Sequence, residues 1–171
     1  MPYVSDPKTQ TAETVRAAQR GDTLAMAALL DELAPYVGRI CGPIALDDGA
    51  DAAQETLVAV FKSLRTLKDP AALRGWARAI AVREAVRVAR RSARAVPLDL
   101  STLPGRGDPE LAADIKDVLD RLSPEHRAVL VLRDVEGLDE RAAAELLGVR
   151  VGTVKSRLSR ARETFRKAWT S

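Results

Sequence analysis

Seven basic side chains crowd the last 24 residues: Arg150, Lys155, Arg157, Arg160, Arg162, Arg166 and Lys167. Only one acid, Glu163, opposes them, so this end of the chain carries a net +6. The chemistry offered is recognition rather than bond making. Guanidinium and ammonium groups suit guanine edges and phosphates, and the hydroxyls of Thr153 and Ser156 serve either. Counterion release favours binding of a polyanion here. A second basic series runs through Arg74, Arg78, Arg83, Arg87, Arg90, Arg91 and Arg94. From Arg83 onward its steps of three or four place it along one helical flank, which reads either as a solvated face or as a track for a nucleic-acid backbone. A third group, Asp51, Gln54 and Glu55 beside Leu57, Val58 and Phe61, offers carboxylates and an amide rimmed by apolar side chains, a pattern suited to a basic partner protein. No nucleophile with a base, glycine-rich phosphate loop or supported carboxylate pair accompanies these groups, so an enzyme is not expected. The lone Cys41 and lone His126 leave no internal disulfide and no metal cluster, and no cofactor is expected.

The C-terminal basic face needs a scaffold, and Leu138–Arg162 writes one as a helix-turn-helix. Ala142, Ala143, Leu146 and Leu147 fall on one helical stripe, with small residues that admit a close crossing. Gly148 suits a left-handed helix end. The turn Val149-Arg150-Val151-Gly152 follows, and Thr153 is placed to cap a second helix. In that helix Val154, Leu158, Ala161 and Phe165 point inward. Lys155, Ser156, Arg157, Arg160 and Arg162 are left outward or flanking. Asp114–Leu147 carries nine acids against five bases, so the positive charge is localised rather than general. Taken alone, a helix-turn-helix fits repressors, response regulators and recombinases equally.

The N-terminal half reads as a bundle of about four helices. Helix is expected from near Thr9 after a frayed arm, Met1–Lys8. Gly21-Asp22 caps a second segment, Pro35 opens another, Gly42-Pro43 breaks it, and Asp47–Lys68 and Ala71–Arg91 complete the half. Trp76 is assigned to the core with Ala77, Ile80 and Ala81. Ser92–Pro109, punctuated by Pro97, Pro104, Gly105, Gly107 and Pro109, reads as a flexible linker. With aromatics at 4% and alanine, leucine and arginine abundant, the expected fold is all-α. Its two small helical domains span residues 9–95 and 112–171, joined by a linker at 96–111. No run of 18 apolar residues and no signal sequence is evident, which points to the cytoplasm.

Leu119-Asp120-Arg121-Leu122-Ser123-Pro124-Glu125-His126-Arg127-Ala128-Val129-Leu130 and the helix-turn-helix after it resemble the fourth region of bacterial sigma factors, in particular the extracytoplasmic-function group. Asp51-Ala52-Ala53-Gln54-Glu55-Thr56-Leu57 with Leu73-Arg74-Gly75-Trp76 is similar to that family's second region. The resemblance implies that Asp51, Gln54, Glu55, Leu57, Val58 and Phe61 grip core RNA polymerase. Arg74, Arg78, Arg83, Arg87, Arg90 and Arg91 would meet the melted downstream element. Arg150, Thr153, Lys155, Ser156, Arg157, Arg160 and Arg162 would read the upstream element. It also implies an anti-sigma factor as a partner. Leu57 stands where the family commonly has Phe, and Val82-Arg83-Glu84 where an Arg-Asn pair is common. The main rival is a dimeric repressor, which needs a half-site spacing that a flexible linker does not supply.

Overall fold

The computed structural model describes residues 7–94 and 109–169. Among them every regular element is helical, as composition and periodicity predict. Four helices build the N-terminal half: α1 (Pro7–Gln19), α2 (Thr23–Ala45), α3 (Gly49–Ser63) and α4 (Leu73–Arg94). Asp22 caps α2 as expected, its carboxylate accepting from the amides of Leu24 and Ala25 at 3.0 Å each. α1 opens at Pro7, so the last two residues of the expected arm are helical. The rest of the arm lies outside the described residues, as do residues 95–108 of the linker. α5 begins at Pro109, with proline at the helix start, so the last residues assigned to the linker, Glu110 and Leu111, are helical too.

α2 departs most from expectation. It passes without interruption through Pro35 and Pro43, where the sequence predicts a new start and a break. Each proline removes one helical hydrogen bond, yet Leu29, Leu33, Val37, Ile40, Cys41 and Ile44 form a continuous buried stripe on both sides, and burial of that stripe outweighs the lost bonds. The helix stops at Leu46, whose φ of 55° turns the chain into α3. There α3 approaches α2 so closely that a Cβ on the buried Gly49 would lie 2.9 Å from Gly42 Cα. Gly49→Ala should therefore destabilise the protein by about 1–3 kcal/mol through overpacking, offset by at most about 1 kcal/mol of helix propensity. The midpoint of urea unfolding reads this directly, and an unchanged midpoint would mean the crossing can open. Burial pushes the Cys41 thiol up to about 11, so it stays protonated at neutral pH, at the crossing of α2, α3 and α4 beside the Thr56 hydroxyl.

The C-terminal half comprises α5 (Pro109–Asp120), α6 (Pro124–Leu130), α7 (Glu140–Leu147) and α8 (Val151–Trp169). Ser123 caps α6 through the His126 amide, with Pro124 at the first position. A wide π-helical turn, Val131–Val135, extends α6, and the Glu136 amide closes onto the Val131 carbonyl at 2.9 Å. The two halves are not held apart. Ala128, Val129, Val131 and Leu132 join the same apolar core as α2, α3 and α4. Across that seam Arg127, only 7% exposed, donates from Nε to the Ile44 carbonyl at 2.8 Å. From Nη1 it donates to Leu122 and Leu119 at 2.7 and 3.1 Å. One guanidinium thus serves the C-terminal ends of α2 and α5, where carbonyls lack helical partners and the helix dipole favours a cation. Among the described residues no helix is long and apolar enough to cross a membrane.

Candidate nucleic-acid and partner interfaces

The helix-turn-helix is built as its residues predict. Asp139 caps α7, accepting from the Ala142 amide at 2.8 Å. Gly148 ends it with φ 64° and ψ 34°, and Val149 packs in the crook. Two details differ. Ala143 and Ala144 are the buried pair of α7, with Ala142, Leu146 and Leu147 partly buried. α8 opens at Val151 because the Arg150 carbonyl accepts from the amides of both Thr153 and Val154. Thr153 therefore sits inside the first turn rather than capping it. The inward stripe holds: Val154, Leu158 and Ala161 are buried and Phe165 is half-buried.

On the outward face Arg150, Lys155, Ser156, Arg160 and Arg162 are exposed and Arg157 is half-buried. They are not equally available. Arg162 is held to its own half by Asp134, with Nη2 to Oδ1 at 2.6 Å. Lys155 lies 3.5 Å from Glu140. The Ser156 hydroxyl donates to the Thr153 carbonyl at 3.0 Å. His126 lies beneath this face; burial, then Arg157 and Arg160, hold its imidazole below the usual range, so it is neutral at pH 7.

From Arg83 to Arg94 the arginines of α4 share one flank as expected, while Arg74 and Arg78 lie on another face of the helix, and six of the seven have a present engagement. Arg74 stacks over the Tyr36 ring at 4.2 Å. Arg78 pairs with Glu136 at 3.3 Å and Arg90 with Glu125. Arg83 donates to the Ala79 carbonyl of its own helix. Arg87 bonds Glu55 and Glu84, while Arg91 bonds Asp51 and Glu55. Two residues expected in the partner surface, Asp51 and Glu55, are thereby tied to two expected in the strand track. The Glu55 carboxyl is held below the ordinary carboxylate range, first by Arg91 and then by Arg87. Gln54 is exposed, Leu57 is partly buried against the core, and Val58 and Phe61 stand 51% and 56% exposed. Trp76 packs partly buried against the core, as its neighbours in sequence predict.

Arg83, Arg87, Arg90, Arg91 and Arg94 line one wall of a groove of about 880 Å³. Its other wall is Glu145, Leu146, Leu147, Val149 and Arg157, so of the basic residues of the helix-turn-helix only Arg157 faces the arginines of α4. Arg127, Tyr36, Glu125 and Glu136 escape sequence reasoning. Only Arg127 leaves a trace, as a lone charge opening the apolar run Ala128–Leu132.

Both halves have counterparts among known proteins. Residues 27–95 match the family model "Sigma-70 region 2" and residues 112–165 match "Sigma-70, region 4". The ECF RNA polymerase sigma factor SigE of Mycolicibacterium smegmatis is 36% identical over 131 residues, 70% of this chain and 51% of that protein. The RNA polymerase sigma factor SigV of Bacillus subtilis is 30% identical over 124 residues, 70% of this chain and 75% of that protein. The chain thus spans about half the length of the first relative and three quarters of the second. Among solved structures, CnrH in complex with the cytosolic domain of CnrY aligns with a TM-score of 0.64 at 24% identity, covering 94% of this chain and 97% of that one. The sigma factor RpoE in complex with the anti-sigma factor NepR from Bartonella quintana gives 0.67 at 24% identity, covering 82% and 94%. Both share the helical fold.

Proposed function

The chain belongs to the extracytoplasmic-function group of bacterial sigma-70 factors, and from that premise we propose that it directs core RNA polymerase to specific promoters from the cytoplasm. The N-terminal half, residues 9–95, grips the polymerase through the exposed face of α3 and meets the melted downstream element with α4. The C-terminal half, residues 112–171, lays the start of α8 in the major groove of the upstream element. Arg150, Thr153, Lys155, Ser156, Arg157, Arg160 and Arg162 form the reading and phosphate-contacting set, and the bond chemistry belongs to the polymerase. The observation that carries this reading is the division of α8, whose apolar stripe is buried while the basic stripe stays outside.

Run-off transcription with purified core polymerase and a promoter library tests it. Defined start sites that require the chain support initiation; tight palindrome binding without polymerase would favour the dimeric repressor instead. Arg157→Ala with Arg160→Ala should weaken binding of the upstream element by about 1–3 kcal/mol for each arginine that grips a base edge with both prongs. Unchanged affinity in a gel shift at fixed salt would place the reading face elsewhere. The complex of one structural neighbour with the anti-sigma factor NepR further supports an anti-sigma factor as a partner. The groove, arginine-walled on one side and on the other apolar apart from Glu145 and Arg157, suits an acidic amphipathic segment of such a protein.

A further inference from the structure

Glu136 reaches out of the C-terminal half into a pocket made by α2 and α4. One of its oxygens, Oε2, accepts both from the Tyr36 hydroxyl at 2.7 Å and from Arg78 Nη1 at 3.3 Å. The side chains of Arg78 and Glu136 are 24% and 15% exposed, so this pair is far drier than the ion pairs along the rest of α4. Arg74 adds a second guanidinium over the Tyr36 ring. The fit is incomplete, because Arg78 Nε is buried with no hydrogen-bond partner. A fork of two donors is engaged through one prong by a carboxylate presenting one oxygen. A phosphodiester presents two non-bridging oxygens at a spacing that a guanidinium takes with both prongs.

We propose that Tyr36, Arg74 and Arg78 form a binding site for a backbone phosphate of the melted promoter strand, and that Glu136 occupies this site in the free chain as an internal stand-in. This rests on the functional reading above, and it adds Tyr36 as a strand-positioning residue and Glu136 as its competitor. Carboxylate and phosphate cannot occupy the pocket together, since both need the same Tyr36 hydroxyl and Arg78 nitrogen. Strand loading therefore expels Glu136 and releases one tie between the halves. Conversely, the free chain is protected from adventitious single strands, because any strand must first displace a group already delivered by the π-helical turn Val131–Val135.

The test uses the full chain and a fluorescent single-stranded oligonucleotide followed by anisotropy at low salt. Glu136→Gln keeps the shape and removes the competing charge, so it should tighten binding on the order of tenfold. Adding Tyr36→Phe should remove most of that gain. Glu13→Gln, the same charge change at an exposed site on α1, should give little; an equal gain there would reduce the effect to net charge and overturn the site. Inorganic phosphate at matched ionic strength should not displace the oligonucleotide, and displacement would assign the pocket to a small anion instead of a strand. Run-off transcription by the unaltered chain, measured alongside, separates the two readings. Initiation without any gain for Glu136→Gln sinks the phosphate site alone. A gain without initiation sinks the promoter reading and leaves a single-strand site.

Discussion

Replacing Val58 and Phe61 together by aspartate should abolish capture of the chain by core RNA polymerase in a pull-down while leaving its stability almost unchanged. Both side chains lie on the outer face of α3, three residues apart, and are 51% and 56% exposed, more than large apolar groups tolerate without a reason when they cluster. Their exposure keeps the folding cost within about 0.5 kcal/mol. Interface anchors of this kind typically contribute about 2–4 kcal/mol each, and a carboxylate pressed into the partner adds an unpaired buried charge. Gln54→Ala with Glu55→Ala should weaken capture less, because Glu55 already engages its charge with Arg87 and Arg91 and surface pairs of that kind are weak. Capture of the double aspartate variant at the unaltered level would remove α3 from the polymerase interface.

Arg127→Ala should be the most damaging single substitution for the fold, lowering stability by roughly 2–5 kcal/mol. That range follows from orphaning the Ile44 and Leu122 carbonyls, and partly Leu119, at about 1–3 kcal/mol for each buried acceptor. Against a total of about 5–15 kcal/mol for a native protein, such a loss reaches far into the margin. Arg127→Lys should recover little, since an ammonium cannot reach carbonyls on two helices in the geometry of a planar fork. Urea unfolding followed by circular dichroism measures both variants. If the alanine variant unfolds at the unaltered midpoint, water replaces the guanidinium and the seam between the halves does not depend on it. Of the other ties across the seam, Arg90 with Glu125 and Lys116 with Asp47 lie at the surface and should be nearly neutral when removed singly.

Local signals are readable wherever a residue acts on its own neighbours. Gly148, Asp22 and Ser123 terminate or start helices through their own backbone and side-chain geometry, and each does so in the structure. The inward stripe of α8 is readable because helical periodicity sets which positions share a face. The start of α8 is less so: Thr153 is the one side chain of that turn suited to capping, yet the helix opens two residues earlier at Val151 on the Arg150 carbonyl alone. Pro35 and Pro43 mislead for the opposite reason, a strong local preference that lost to a long buried stripe.

Composition, periodicity and motif order determined that this chain is helical, where its helix-turn-helix lies and which residues carry positive charge, because those properties follow from each residue and its near neighbours. Only the tertiary structure decided that the halves close on one another, that Asp51 and Glu55 hold Arg87 and Arg91, and that Glu136 fills the pocket of Tyr36 and Arg78. The reason is separation along the chain. Arg127 lies 83 residues from Ile44 and Tyr36 lies 100 from Glu136. No periodic pattern spans such distances; contacts of that range arise when whole faces pack and bring their polar groups into reach.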